Sequence, residues 1–288
     1  MSMKFYQLDV FADGPYKGNP LAVFPDVDGL STAQMQAIAR EMNLSETSFV
    51  TRVDGDGYDV RIFTPVEELP FAGHPTIGTA WLLEHIGSIK GAATIQRSAA
   101  GVTPLTLDEG VWWFERAGWA DPNLEDSRPD STSALAGALG LAEDDIGLDA
   151  IEFGRSGHLM PAFSDAGLSQ LIVPVKDLDV LARCRPSVGL LKDAGGMGAY
   201  CFTAETSGSL RARGFWPGVG VDEDPATGSA CAALGIYLAD RLRSIELKVR
   251  QGVEMGRPSV MHMRASTGQT SIGGACELIF EGSLQSLP

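Results

Sequence analysis

The sequence predicts two homologous lobes of mixed strand and helix. Three observations lead there: extended segments bounded by Gly, Asp, Asn and Pro turns, two apolar helices that follow a Pro-containing motif, and an internal repeat linking those motifs. Pro75-Thr76-Ile77-Gly78-Thr79-Ala80 aligns without a gap on Pro225-Ala226-Thr227-Gly228-Ser229-Ala230. Arg61 pairs with Arg211 in the same comparison, and Phe63-Thr64-Pro65 with Phe215-Trp216-Pro217 at nearly the same offset.

The elements follow in order. Met3 to Phe11 alternates like a strand, Asp13 to Pro20 is a turn cluster, and Leu21 to Pro25 resumes extended chain. Ser31-Thr32-Ala33-Gln34 matches a capping box, Met35, Ile38, Ala39 and Met42 recur at helical spacing, and Asn43 suits a left-handed C-terminal cap. Residues 44–51 and 58–64 read as strands joined by an Asp54-Gly55-Asp56-Gly57 hairpin turn, which puts Glu46 at a strand entrance. Pro75 to Ile86 is apolar on nearly all sides and therefore reads as a core helix. A polar stretch from Ala120 to Pro129 offers a junction, so the lobes are drawn as residues 1–122 and 123–288.

Composition narrows the function classes. With 37 acidic and 22 basic side chains the formal charge is -15, which repels phosphate backbones and anionic membrane surfaces, so no nucleic-acid partner is expected. No apolar run reaches the ~18 residues that a membrane span needs. The N-terminus lacks a basic start followed by an apolar stretch, and the expected location is the cytoplasm. Cys184, Cys201, Cys231 and Cys276 are widely spaced and read as reduced, buried thiols.

The repeated motifs carry the chemistry. Proline suits the first turn of a helix, where its missing N–H is not needed, so each motif reads as an open helix N-terminus with free amides and partial positive charge. Two such ends can hold a carboxylate or stabilise an enolate-like charge without a metal. The plainer alternative is that His74 and Asp224 cap buried helices and the glycines serve close packing. Pairing within a repeat favours the functional reading. His74 and Asp224, placed at the cap positions, can exchange protons, and Glu46 has Leu44 and Phe49 nearby to favour its neutral form if water is excluded. On spacing alone, Glu46 reads as an exposed strand residue among Ser45, Thr47 and Ser48.

Other constellations are weaker. His74 and His85 have no third ligand at useful spacing, so no metal is assigned. Gly195-Gly196-Met197-Gly198 lacks the context of a nucleotide loop, and Ser156, His158 and Asp165 lack a nucleophile elbow.

The runs Asp9-Val10-Phe11, Gly18 to Val23, Asn43 to Thr47, Phe71 to Thr76 and Asp224 to Ala230 resemble the PhzF family of phenazine-biosynthesis-like isomerases. Gln251-Gly252 followed by Gly256-Arg257-Pro258-Ser259 looks like that family's late motif. The resemblance implies an α+β, diaminopimelate-epimerase-like fold: two pseudo-symmetric lobes, each a mostly antiparallel sheet rolled around a central helix, with the active site between them. The last strand becomes a candidate to return to the first lobe. It also implies that Glu46 removes and returns a proton, that His74 and Asp224 assist, and that Gly73, Gly228 and Ser229 hold substrate. Related epimerases place a cysteine in each helix-start motif, but Ala72 and Pro225 stand at those positions here. A two-thiol mechanism is thus disfavoured. The expected activity is a cofactor-independent isomerisation of a small carboxylated substrate, with a homodimer in keeping with the family. The competing reading is a non-catalytic small-acid-binding protein on the same fold.

Overall fold

The computed structural model describes residues 3–121, 131–193 and 198–288. The expected Ala120–Pro129 junction from Pro122 onward, and most of the Gly195–Gly198 run, lie outside the described residues. The chain divides into two compact units, one formed by residues 1–115 with 273–288 and the other by residues 116–272.

In the first unit, β1 (Met3–Val10) and β2 (Asn19–Phe24) pair antiparallel. Helix α1 (Thr32–Met42) then crosses over to β3 (Glu46–Val53), which lies parallel to β2. Strand β4 (Gly57–Phe63) returns antiparallel to β3 and carries the short β5 (Glu68–Leu69) beside its end. Helix α2 (Gly73–His85) crosses to β6 (Ala93–Ser98), parallel to β4, and β7 (Gly101–Asp108) and β8 (Val111–Ala117) follow antiparallel.

The second unit repeats this plan. Its first strand, β9 (Trp119–Ala120), is followed by α3 (Ser131–Ala138) and a two-stranded ribbon, β10 (Leu148–Asp149) and β11 (His158–Leu159). Strand β12 (Ala162–Asp165) pairs antiparallel with β9 and with β13 (Ser169–Pro174). Helices α4 (Leu178–Arg183) and α5 (Val188–Asp193) lead to β14 (Ala199–Thr206), parallel to β13. Strand β15 (Ser209–Trp216) returns antiparallel and carries β16 (Val221–Asp224). Helix α6 (Gly228–Leu242) crosses to β17 (Ile245–Gln251), parallel to β15, and β18 (Ser259–Ser266) and β19 (Gln269–Gly274) complete the run. The last strand, β20 (Cys276–Leu284), pairs antiparallel with β1 and so belongs to the first unit. Both units thus contain parallel, antiparallel and parallel neighbours in succession, with a helix at each parallel crossover.

Local signals explain the elements that matter for the site. The capping box on α1 forms, with the Ser31 hydroxyl accepting from the Gln34 amide and Gln34 Oε1 accepting from the Ser31 amide. Asn43 ends α1 with φ 51°, in the left-handed region. Asp54 Oδ1 accepts from the Asp56 and Gly57 amides and closes the β3–β4 turn, while Arg97 bridges Asp54 and Asp59 from β6. Helix α2 is a core axis, with Gly73 to Ala80, Leu82 and Leu83 all buried. A Cβ on Gly78 would sit 2.6 Å from Leu21 Cδ2 and 2.7 Å from Val10 Cγ2, so glycine lets α2 approach β1 and β2. Burial of Ile77, Leu82 and Leu83 stabilises this packing by about 1.5–3 kcal/mol per side chain. In the second unit a Cβ on Gly235 would meet Thr270 and Met263, and α6 is buried along most of its length.

All four cysteines are free and buried. Cys231 lies inside α6, where burial pushes its thiol up, consistent with a small core residue. No helix among the described residues is long and apolar enough to cross a membrane.

Candidate active site

Glu46 is the first residue of β3, and several features hold it there. The left-handed turn at Asn43 ends α1, the Ser45 hydroxyl donates to Asn19 Oδ1 at 3.0 Å, and Glu46 then takes up its register opposite Leu21 of β2. Gly18, with φ +83°, passes so close to the Val10 carbonyl that a Cβ there would lie 2.5 Å from the oxygen. That glycine allows the Asn19 side of the contact to form. The strand begins two residues later than residue 44 because the turn and the Ser45–Asn19 bond occupy that stretch.

The first unit brings Glu46 and His74 together. His74 Nε2 lies 3.5 Å from Glu46 Oε2, with the two side chains 4% and 17% exposed. Burial pushes the imidazole down to about 3, so His74 is neutral at neutral pH. Gly73 is buried beside it. The N-terminal cap of α2 is Ala72, without a side-chain cap bond, so His74 sits in the first helical turn and not at the expected cap position. The ladder starts with the Thr76 amide donating to the Ala72 carbonyl, which leaves the Gly73 and His74 amides outside it.

A buried hydrogen-bond chain, not foreseen from sequence, supports this turn. The Tyr58 hydroxyl donates to Gln96 Oε1 at 3.1 Å, Gln96 Nε2 donates to Thr76 Oγ1 at 3.0 Å, and the Thr76 hydroxyl donates to the Ala72 carbonyl at 2.8 Å. Burial pushes the Tyr58 phenol up, which keeps it a donor.

The second unit holds Asp224, Gly228 and Ser229. Asp224 ends β16, opposite Gly214 of β15, and is 8% exposed. Helix α6 begins only at Gly228 with Thr227 as its cap, so Pro225 precedes the helix and Asp224 is not its cap. This corrects the expectation of two equivalent helix starts, each with its proline in the first turn. The reason lies in Gln251. Its Nε2 donates to the Asp224 carbonyl at 2.7 Å and to Thr227 Oγ1 at 3.0 Å, while its Oε1 accepts from the Thr227 amide at 3.2 Å. The Thr227 hydroxyl in turn donates to Asp224 Oδ2 at 2.5 Å. Residues 224–227 are therefore bonded sideways to the end of β17 instead of coiling into the helix. The ladder of α6 starts with the Cys231 amide donating to the Thr227 carbonyl, leaving the amides of Gly228, Ser229 and Ala230 outside it. Gly228 is buried and Ser229 partly exposed.

Ala72 and Pro225, where thiols would be needed for two-cysteine chemistry, cannot exchange protons. Among the described residues, no three His, Cys, Asp or Glu side chains cluster as a metal-binding set. His85 stacks on Trp81 at the end of α2, with ring centroids 4.8 Å apart.

The phenazine biosynthesis-like PhzC-PhzF family model matches residues 8–282. The chain belongs to the PhzF family. A trans-2,3-dihydro-3-hydroxyanthranilate isomerase of Pseudomonas aeruginosa is 38% identical over 279 residues, covering 91% of this chain and 90% of that protein. An enzyme of the same name from Pseudomonas fluorescens is 36% identical over 276 residues, covering 90% and 88%. A PhzF-family crystal structure from Bacillus anthracis has a TM-score of 0.83 at 25% identity, covering 99% of this chain and all of that one. A hydroxyproline epimerase from Agrobacterium vitis shares the fold, with a TM-score of 0.62 at 10% identity over 98% of this chain and 92% of that one. The protein is thus a PhzF-type isomerase on the epimerase-like α+β fold.

Proposed function

We propose that this PhzF-family protein moves a proton between two carbons of a small carboxylated substrate, with Glu46 as the acid/base. The observation that carries the reading is the Glu46–His74 pair at the open N-terminus of α2, 3.5 Å apart and largely withdrawn from water. A carboxylate there takes a proton from one carbon of the substrate and returns it to another, leaving composition and charge unchanged, which is an isomerisation. His74, neutral because it is buried, orients Glu46 without adding a competing cationic acid. Gly73 contributes an open amide to the substrate carboxylate, Gly228 and Ser229 bind substrate through theirs, and Asp224 assists in proton transfer. The names of the relatives at 36–38% identity make a dihydro-hydroxyanthranilate skeleton the first compound to try.

The test is incubation with trans-2,3-dihydro-3-hydroxyanthranilate in deuterated water, followed by mass spectrometry. Deuterium enters the wild-type product, and Glu46→Gln abolishes the incorporation. Undiminished exchange in that variant would remove Glu46 from the proposed role. Binding of the compound without exchange by the wild type would support the non-catalytic small-acid-binding reading instead.

A further inference from the structure

We propose that Gln251 is the positioning residue for Asp224, setting the orientation of its carboxylate through Thr227. The inference rests on the reading of Asp224 as a participant in proton transfer, and adds to it how the side chain is held. Gln251 is fully buried at the end of β17, and its amide is saturated by four partners. The Thr227 amide, which can only donate, and the Asp224 carbonyl, which can only accept, decide which way the Gln251 amide faces, and the Tyr200 hydroxyl then donates to Oε1 at 2.8 Å. The NH2 group must then point toward the Asp224 carbonyl and Thr227 Oγ1. Since Gln251 donates to the Thr227 oxygen, the Thr227 proton is left for Asp224 Oδ2. One amide thereby sets the polarity of the whole chain, from a buried phenol to a carboxylate at the head of α6.

The rest of the late motif serves the same turn. Gly252, with φ +72°, leaves no room for a side chain, because a Cβ there would lie 2.6 Å from the Pro225 carbonyl and 3.0 Å from Pro225 Cα. The Ser259 hydroxyl donates to that same Pro225 carbonyl at 2.9 Å. Gln251 and Ser259 together bind the backbone of Asp224 and Pro225 as well as the Thr227 side chain, in the space Gly252 leaves open. A purely structural tie would need only the backbone bonds; the bond from Gln251 to the Thr227 hydroxyl acts on the Asp224 carboxylate itself.

Thr227→Val keeps the side-chain shape and removes the hydroxyl, Thr227→Ser restores it, and Gln251→Met removes the amide at similar length. Two readouts are taken on variants whose circular dichroism matches wild type. In carbon-13 NMR, the Asp224 carboxyl resonance is displaced or broadened in Thr227→Val and Gln251→Met and regains its wild-type position in Thr227→Ser. In the deuterium-exchange assay with trans-2,3-dihydro-3-hydroxyanthranilate, kcat falls by about 10-fold or more in Thr227→Val with KM changed less than about 2-fold, and Thr227→Ser recovers it. If Gln251→Met does not fold, the Val and Ser pair decides the question. An unchanged Asp224 resonance in Thr227→Val, or Val and Ser variants with equal kcat, overturns the proposal. If the wild type itself shows no exchange, the substrate reading fails, and the carbon-13 comparison alone judges Gln251.

Discussion

The starts of α2 and α6 share a sequence pattern and the same three kinds of supporting side chain, yet they hold the proposed acid/base residues His74 and Asp224 in opposite ways. At α2 the Tyr58–Gln96–Thr76 chain ends on the Ala72 carbonyl, and His74 stands apart from it, facing Glu46 at 3.5 Å. At α6 the Tyr200–Gln251–Thr227 chain ends on Asp224 itself. The same apparatus supports the backbone beneath one titratable side chain and grips the other directly. The difference arises because Gln96 lies within β6 and reaches a threonine inside the helix, whereas Gln251 ends β17 and reaches the cap residue outside it.

The largest test of that contrast is the proposed proton carrier, Glu46. Glu46→Gln lowers exchange by about 10²–10⁴-fold in the deuterium assay with little change in thermal midpoint, since the amide is nearly isosteric. An equal or greater loss in Asp224→Asn, with Glu46→Gln nearly active, would invert the roles of the two starts. Packing at α2 comes next. Gly78→Ala forces its new methyl against Leu21 and Val10, and chemical denaturation is expected to show a loss of about 1–3 kcal/mol.

The pH dependence of stability singles out His74. Its pKa is lowered from 6.5 to about 3 on folding, so the unfolded chain binds more protons in that window. The contribution is complete above pH 6.5 and is lost as pH falls toward 3, by roughly 1.4 kcal/mol per pH unit. Urea titrations at pH 7 and pH 5 on wild type and His74→Gln separate this from carboxylate effects, and an identical pH response in both proteins would contradict it. The smallest effect is expected from Thr76→Val, which leaves the Gln96 amide without its acceptor and costs about 1–2 kcal/mol. Stability falls while exchange is largely kept, whereas Thr227→Val shows the reverse balance. Similar behaviour of the two valine variants would erase the difference between the starts.

Much was legible in the chain. The Ser31 capping box, the Asn43 cap, the Asp54–Gly57 turn and the apolar helix after Pro75 are short-range features, each specified within a few residues. The repeat was legible because two copies of one plan keep the same order of motifs, and the long run of family motifs carried both the fold and the isomerase assignment.

The caps are Ala72 and Thr227, not His74 and Asp224, because aligned sequences match residue types and not hydrogen bonds. Pro75 and Pro225 align, but a side chain from β17 competes for the backbone around Pro225 and delays the helix to Gly228. Gln96 and Gln251 were invisible as supports, since a glutamine in a strand carries no local signature of the tyrosine and threonine it will meet. The sequence by itself determined the local elements, the repeat and the family. Only the tertiary structure decided that Glu46 meets His74 and that Asp224 is held through Gln251, because those contacts join residues distant in the chain whose geometry is set by strand register and burial.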